Sequence, residues 1–178
     1  LALFEIGAVY FKRSDNLPDE PRRLGVLLAG ARRLVNWTGG ESADAVDFYD
    51  LKGLVEGLVS GLHLSDASFS RSAHPSLHPG RSAALVLDGK RVGDFGELHP
   101  LVARQFDLGD RAVYVGEFDL DGLLGLVSPN FGVQPLPTTP PVLQDIALVV
   151  NEETSHAAVE AVIRKAGGKL LQSVALFD

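Results

Sequence analysis

The chain reads as an α+β protein: an antiparallel sheet with flanking helices, followed by a shorter strand–helix–strand unit. Three observations carry this reading. Apolar runs of strand length are joined by turn chemistry, with Asp88-Gly89 the strongest hairpin signal. Residues 47–62 switch to helical periodicity. Pro129, Pro135, Pro137, Pro140 and Pro141 crowd residues 128–141 and mark a break between two folding units.

Leu3, Ile6 and Val9 give residues 1–12 the pattern of a strand, and 14–21 is loop chemistry. Leu24 to Ala29, ending at Gly30, is a buried strand that closes a long hairpin with the first. Residues 36–45 are polar and carry the lone Trp37. Asp47 or Asp50 then caps a helix, because a carboxylate can accept the free N–H groups there. Leu51, Leu54, Val55, Leu58 and Leu62 form its apolar stripe. Gly53, Gly57 and Gly61 recur every four residues, at a cost in helix stability, and predict a face that another backbone approaches closely. A short strand over 68–73 follows, then a turn bracketed by Pro75 and Pro79, and strands 82–87 and 91–95. His99-Pro100 opens a helical turn, 112–118 is a strand, and Asp119 caps a short helix over 120–127. Beyond the prolines come a strand over 146–150, a helix over 155–166 stopped by Gly167, and a strand over 170–177.

The composition narrows the function. The 178 residues suit one or two domains, and 46% hydrophobic content allows a sizeable core. No signal segment opens the chain, and no apolar run reaches the roughly 20 residues a bilayer requires. Cysteine is absent, which removes disulfides and thiolate metal sites and fits a cytoplasmic setting. Methionine is absent too and residue 1 is Leu, so the chain reads as a piece of a longer protein. A formal charge of −7 opposes broad nucleic-acid binding. Residues 11–33 hold Lys12, Arg13, Arg22, Arg23, Arg32 and Arg33 against Asp15, Asp19 and Glu20, which reads as a solvated surface before an RNA patch.

Few residues suggest chemistry. His74 and His78 are four apart and His99 lies further on, but Pro75 and Pro79 argue against the helix that would align the first two on a metal. His78-Pro79-Gly80 reads instead as a turn with Gly80 in a conformation other residues avoid, and the imidazoles as local hydrogen-bonding groups. Arg81 and Glu97 are expected to pair across strands. Asp47 and Asp50 read as one cap and one salt-bridge partner near Lys52, and Trp37 and Phe48 as core or interface residues. No phosphate-cradling glycine loop is present.

Several blocks, in this order, carry a resemblance. They are Leu24–Trp37; Val46-Asp47-Phe48-Tyr49-Asp50-Leu51-Lys52-Gly53 with its continuation to Leu58; Leu77-His78-Pro79-Gly80-Arg81-Ser82-Ala83; and Val92–Pro100, which includes Gly96, His99 and Pro100. The tail Thr139–Val150, with Asp145, adds a further one. Together they resemble the C-terminal half of the β subunit of bacterial phenylalanyl-tRNA synthetase. One departure is Gln144, where that family usually carries a basic residue before the aspartate.

The resemblance implies a noncatalytic class II synthetase-like domain over 1–128, a proline-rich linker over 129–141, and over 142–178 the first part of a ferredoxin-like anticodon-binding domain. It implies an α2β2 enzyme that joins phenylalanine to tRNA(Phe) with ATP and magnesium, its active site in the α subunit. This chain is then expected to be inactive alone, with no catalytic, cofactor or metal residues of its own. Gly53, Gly57 and Gly61 become the candidate contact with the α subunit. The arginines that grip ATP in class II sites have no counterpart here. A ferredoxin-like sheet runs 4-1-3-2, so strands 1 and 2 alone are not neighbours, and the tail is expected to lack a complete monomeric packing. Two other functions compete: a self-contained divergent class II ATP-dependent ligase, and a stand-alone RNA-binding module, which the acidic balance of residues 136–178 disfavours.

Overall fold

The computed structural model describes residues 1–14, 17–32, 44–130, 136 and 138–177; the expectations for Trp37 and Arg33 fall outside them. It divides into two units, Leu1–Gly132 and Val133–Asp178.

The first unit is a six-stranded antiparallel sheet. Its strands are β1 (Ala2–Ala8), β2 (Arg22–Ala29), β3 (Ser68–Arg71), β4 (Leu77–Leu87), β5 (Lys90–Leu98) and β6 (Val113–Asp119), in the order β1-β2-β6-β5-β4-β3. The long β1–β2 hairpin continues past the strands through Val9 N–H to Pro21 O and reciprocal Phe11–Asp19 bonds. At the β4–β5 turn both Asp88 (φ 49°) and Gly89 (φ 70°) are left-handed, as the two-residue turn that matches strand twist demands. Helix α1 (Phe48–Gly61) connects β2 to β3, α2 (Pro100–Gln105) connects β5 to β6, and α3 (Leu120–Gly125) follows β6.

The core lies between α1 and one sheet face. Alternation puts Leu24, Leu85, Phe95 and Phe118 on that face, and α1 lays Leu51, Val55 and Val59 over it. Each such aliphatic burial contributes roughly 1.5–3 kcal/mol. The predicted stripe is corrected here: the helix seats its i, i+4, i+8 row, so Val59 is buried while Leu54 turns outward, 53% exposed. Two glycines make room for the aromatic rings. A Cβ on Gly93 would stand 2.4 Å from Phe118 Cδ1, and one on Gly116 would stand 3.0 Å from Phe95 Cβ.

The helix ends follow their caps. Asp47 accepts from the Tyr49 and Asp50 N–H groups while Asp50 accepts from the Asp47 N–H, a reciprocal box. His99 caps α2 with Pro100 behind it, and Asp119 caps α3. Asp121 of α3 accepts from Arg22 N at 2.8 Å, Nε at 2.8 Å and Nη2 at 2.6 Å, which ties α3 to the start of β2.

The second unit holds α4 (His156–Gly167), capped by the Ser155 side chain and followed by a short 3-10 turn, Gly168–Leu170. The helix runs through Gly167, and Gly168 (φ 55°) ends it. The strands expected over 146–150 and 170–177 are not formed: neither stretch joins a ladder. Both instead flank a groove of about 510 Å³ floored by Val159 and Ile163 of α4. Extended segments become strands only when a neighbour takes their N–H and C=O groups, and neither stretch has such a neighbour among the described residues.

Candidate functional site

The outer side of α1 is the first surface of interest. Gly53, Gly57 and Gly61 lie along it, and among the described residues, sequence neighbours and the helix backbone aside, no heavy atom lies within 4 Å of the Cβ position of any of them. Tyr49 and Leu54 flank them, 74% and 53% exposed. The close backbone approach their spacing predicts therefore does not come from an element among the described residues; the face is open. Lys52 stays on the inner flank, paired with Glu56 and 4.8 Å above the Phe69 ring.

The N-terminus of the same helix is clasped from outside. Arg32 Nη2 donates to Asp50 at 3.0 Å and to Asp47 at 3.2 Å. The Arg32 hydrogen bond, then the Asp47 N–H, holds the Asp50 carboxyl below its ordinary value. Asp50 is thus half of the capping box and the partner of Arg32, not of Lys52.

At the neighbouring end of the sheet the His78–Arg81 block meets Gly96, Glu97 and Tyr114. The expected turn at His78-Pro79-Gly80 is corrected: these residues lie within β4, where its pairing with β5 is irregular between Leu77 and Ser82. Gly80 is not left-handed. The glycine under steric demand is Gly96, whose Cβ would lie 2.5 Å from the Arg81 carbonyl oxygen. Arg81 and Glu97 do pair, Nε to Oε2 at 2.9 Å. The Glu97 side chain is buried, and among the described residues no donor is aligned on its Oε2 for a hydrogen bond, so the contact is an ion pair by distance. Burial first, and the Glu97 charge second, push the adjacent Tyr114 hydroxyl above its usual range.

The three histidines are separate. His74 Nδ1 accepts from Ser76 N–H at 3.2 Å, His78 Nδ1 from Gly80 N–H at 3.1 Å, and His99 Nδ1 from Leu101 N–H at 3.2 Å. Among the described residues no group of three His, Asp or Glu side chains is placed to hold a metal.

The bare face of the sheet carries an open cleft of about 860 Å³. Register places Glu5, Gly25, Glu117 and Asp94 in one row across β1, β2, β6 and β5 on its floor. Asp94 is engaged by Arg91 and by the Ser72 hydroxyl. Arg23 lines the cleft with its Nε buried and without an acceptor among the described residues. The Glu5, Glu117 and Asp94 carboxylates make this floor acidic, which repels a polyanionic nucleotide, and Arg23 at its side sets a cation against them. Asp145 and Gln144 lie exposed on the extended stretch before α4.

Sequence reasoning missed Gly93, Gly116, Arg32 and the Arg22–Asp121 tie. All are relations between residues distant in sequence or on separate elements, visible only once the fold brings them together.

The geometry defines an α+β fold: a packed sheet with one exposed helix face, and a tail unit whose extended segments join no ladder among the described residues. The comparisons give the family. Residues 1–120 match the profile of the phenylalanyl-tRNA synthetase β-chain CLM domain, and 137–178 that of the ferredoxin-fold anticodon-binding domain. Phenylalanine–tRNA ligase β subunits from Symbiobacterium thermophilum, Moorella thermoacetica and Listeria monocytogenes are 45%, 42% and 39% identical to it. Those alignments cover 100% of this chain and only 20–22% of each relative. A pyrrolysyl-tRNA synthetase from Desulfitobacterium hafniense aligns over 70% of this chain and 40% of its own, at 10% identity and a TM-score of 0.49. The chain belongs to the phenylalanyl-tRNA synthetase β-chain family. No helix among its described residues is long and apolar enough to cross a membrane.

Proposed function

We propose that the chain is a noncatalytic scaffold of phenylalanine–tRNA ligase. Residues 1–128 form a class II synthetase-like domain that docks on the catalytic α subunit, 129–141 a linker, and 142–178 the first part of the unit that meets tRNA(Phe). In this reading the α2β2 enzyme works in the cytoplasm, ATP and magnesium act in the α subunit, and this chain alone forms no adenylate. The observation that carries the reading is the open side of α1, an exposed glycine stripe beside Tyr49 and Leu54 on a helix whose other side is fully packed. The glycines let a partner backbone come close, and the flanking apolar side chains give it surface to bury. The carboxylate row in the bare-face cleft speaks against the competing reading of a self-contained ATP-dependent ligase.

The test is to mix the chain with a bacterial phenylalanyl-tRNA synthetase α subunit and measure mass by size-exclusion with light scattering. A stable complex with no ATP–pyrophosphate exchange by the chain alone supports the scaffold. Exchange by the isolated chain would replace it with the ligase.

A further inference from the structure

The groove of the second unit is bounded by two open strand edges. Residues 146–150 and 171–177 are extended and join no ladder among the described residues. Ile146, Leu148 and Val150 line the groove from one side, and Val174 and Leu176 from the other, over Val159 and Ile163 of α4. Ile146, Leu148, Val150 and Leu176 are nonetheless 62%, 55%, 51% and 70% exposed, so the groove is apolar surface open to solvent. Neither stretch carries a charge or a proline, the devices that keep an exposed strand edge from pairing. Glu160 at the rim is held by Arg164. The occupant that fits is an extended apolar segment, whose backbone bonds to both edges while alternate side chains reach the α4 floor.

The chain itself holds such a segment. Residues 146–150 are Ile-Ala-Leu-Val-Val, rich in β-branched side chains. We propose that two copies of the chain associate through this groove, the 146–150 stretch of each lying between the 146–150 and 171–177 stretches of the other. One two-fold axis closes both grooves, because the same surface serves on each copy. On that axis Leu148 meets Leu148 of the second copy, and Ile146 meets Val150 of the second copy. Asp145 then falls opposite Asn151 of the second copy, so the ends of the pair set no like charges against each other. The 171–177 stretch is the poorer insert: Gln172 shares the alternation of Val174 and Leu176 and would bring an amide onto the apolar floor. A few side chains and two strand edges per copy make a patch at the small end of the range around about 800 Å² per partner, so the association is reversible. It is independent of the α1 face and of the function proposed above.

The test is sedimentation equilibrium of the whole chain from about 1 to about 300 µM, beside hydrogen exchange at both ends of that range. The expected result is a monomer–dimer equilibrium, with protection of 146–150 and 171–177 rising at least about tenfold from the dilute to the concentrated chain. Leu148→Asp and Leu148→Lys each set like charges against one another on the two-fold axis, and each should raise the dimer Kd at least about tenfold. Mixed together, the two variants should form a heterodimer, a rescue that a merely damaged fold would not give. Circular dichroism verifies that each variant keeps its helices. Val162→Lys, on an exposed α4 position outside the groove lining, should dimerise as the wild type does. A chain that stays monomeric across the range would overturn the proposal. So would a dimer that survives Leu148→Asp, one that Val162→Lys weakens as much, or one that forms with exchange at 146–150 unchanged. A mixture of the Asp and Lys variants that remains monomeric would equally refute the two-fold pairing at Leu148.

Discussion

Phe48, the first residue of α1, lies parallel to Phe95 of β5, with ring centroids 5.7 Å apart and planes 9° from coplanar. Phe69 meets Phe95 edge-on at 5.8 Å, so the fully buried Phe95 ring is gripped from the helix and from β3, which lies beyond β4 in the sheet. Phe95→Ala should therefore cost about 3–5 kcal/mol in urea denaturation. Phe48→Ala, at a half-buried position, should cost distinctly less. Equal losses would mean the stack does not centre on Phe95.

Glycines on the two sides of the fold should respond in opposite directions. Gly93→Ala places a methyl 2.4 Å from the Phe118 ring and 2.5 Å from the Glu117 carbonyl oxygen, and should destabilise by about 1–3 kcal/mol. Gly57→Ala meets nothing within 4 Å and removes a helix-breaking residue, so it should stabilise the chain by up to about 1 kcal/mol. Gly57→Leu should fold as well yet lose α-subunit binding, since the outer face must admit a close backbone. Thermal melts beside binding titrations read both effects.

Acid should loosen the ends of α1 and α3. Asp50 is held below its ordinary value by Arg32 first and the Asp47 N–H second, and Asp121 by the Arg22 N–H first and its guanidinium second. A depressed folded-state value means the stabilisation is fully present above the unfolded aspartate value and is lost as pH falls through the folded one. The loss should appear below about pH 4. Asp50→Asn and Asp121→Asn should flatten that limb in melts from pH 6 to 2.5, and an unchanged slope in both would refute the assignment.

In the second unit, amides of 146–150 and 171–177 join no ladder, whereas β5 is paired on both sides. Hydrogen exchange should run orders of magnitude faster in those stretches than across Val92–Glu97. Protection equal to β5 would show a strand partner that the free chain supplies itself.

Much of this fold was legible because each signal was local. Asp88-Gly89 specified its hairpin, the Asp47/Asp50 pair and Asp119 their helices, and the end of β2 at Ala29 was readable while its start at Arg22 was not. The non-local relations were not. The stripe misplaced Leu54 and passed over Val59, because both lie close to the helix's apolar arc and only the sheet beneath decides which is covered. His78-Pro79-Gly80 read as a turn because its residue types favour turns, yet it lies within β4 between Leu77 and Ser82, which pair with Leu98 and Gly96 of β5. The tail segments have strand composition, but composition cannot supply the neighbour that closes a ladder. The exposed stripe of Gly53, Gly57 and Gly61 could be placed by spacing, while the Arg32 clasp on Asp47 and Asp50 needed coordinates.

The most direct test of the central claim is oxidative footprinting of Tyr49 and Leu54 in the free chain and in the light-scattering-verified complex with the α subunit. Both side chains are exposed in the free chain. The account predicts that their labelling falls sharply on complex formation while that of Phe106, exposed on a different element, is unchanged. A complex that forms with Tyr49 and Leu54 labelled as before would contradict it, and would move the docking surface away from α1.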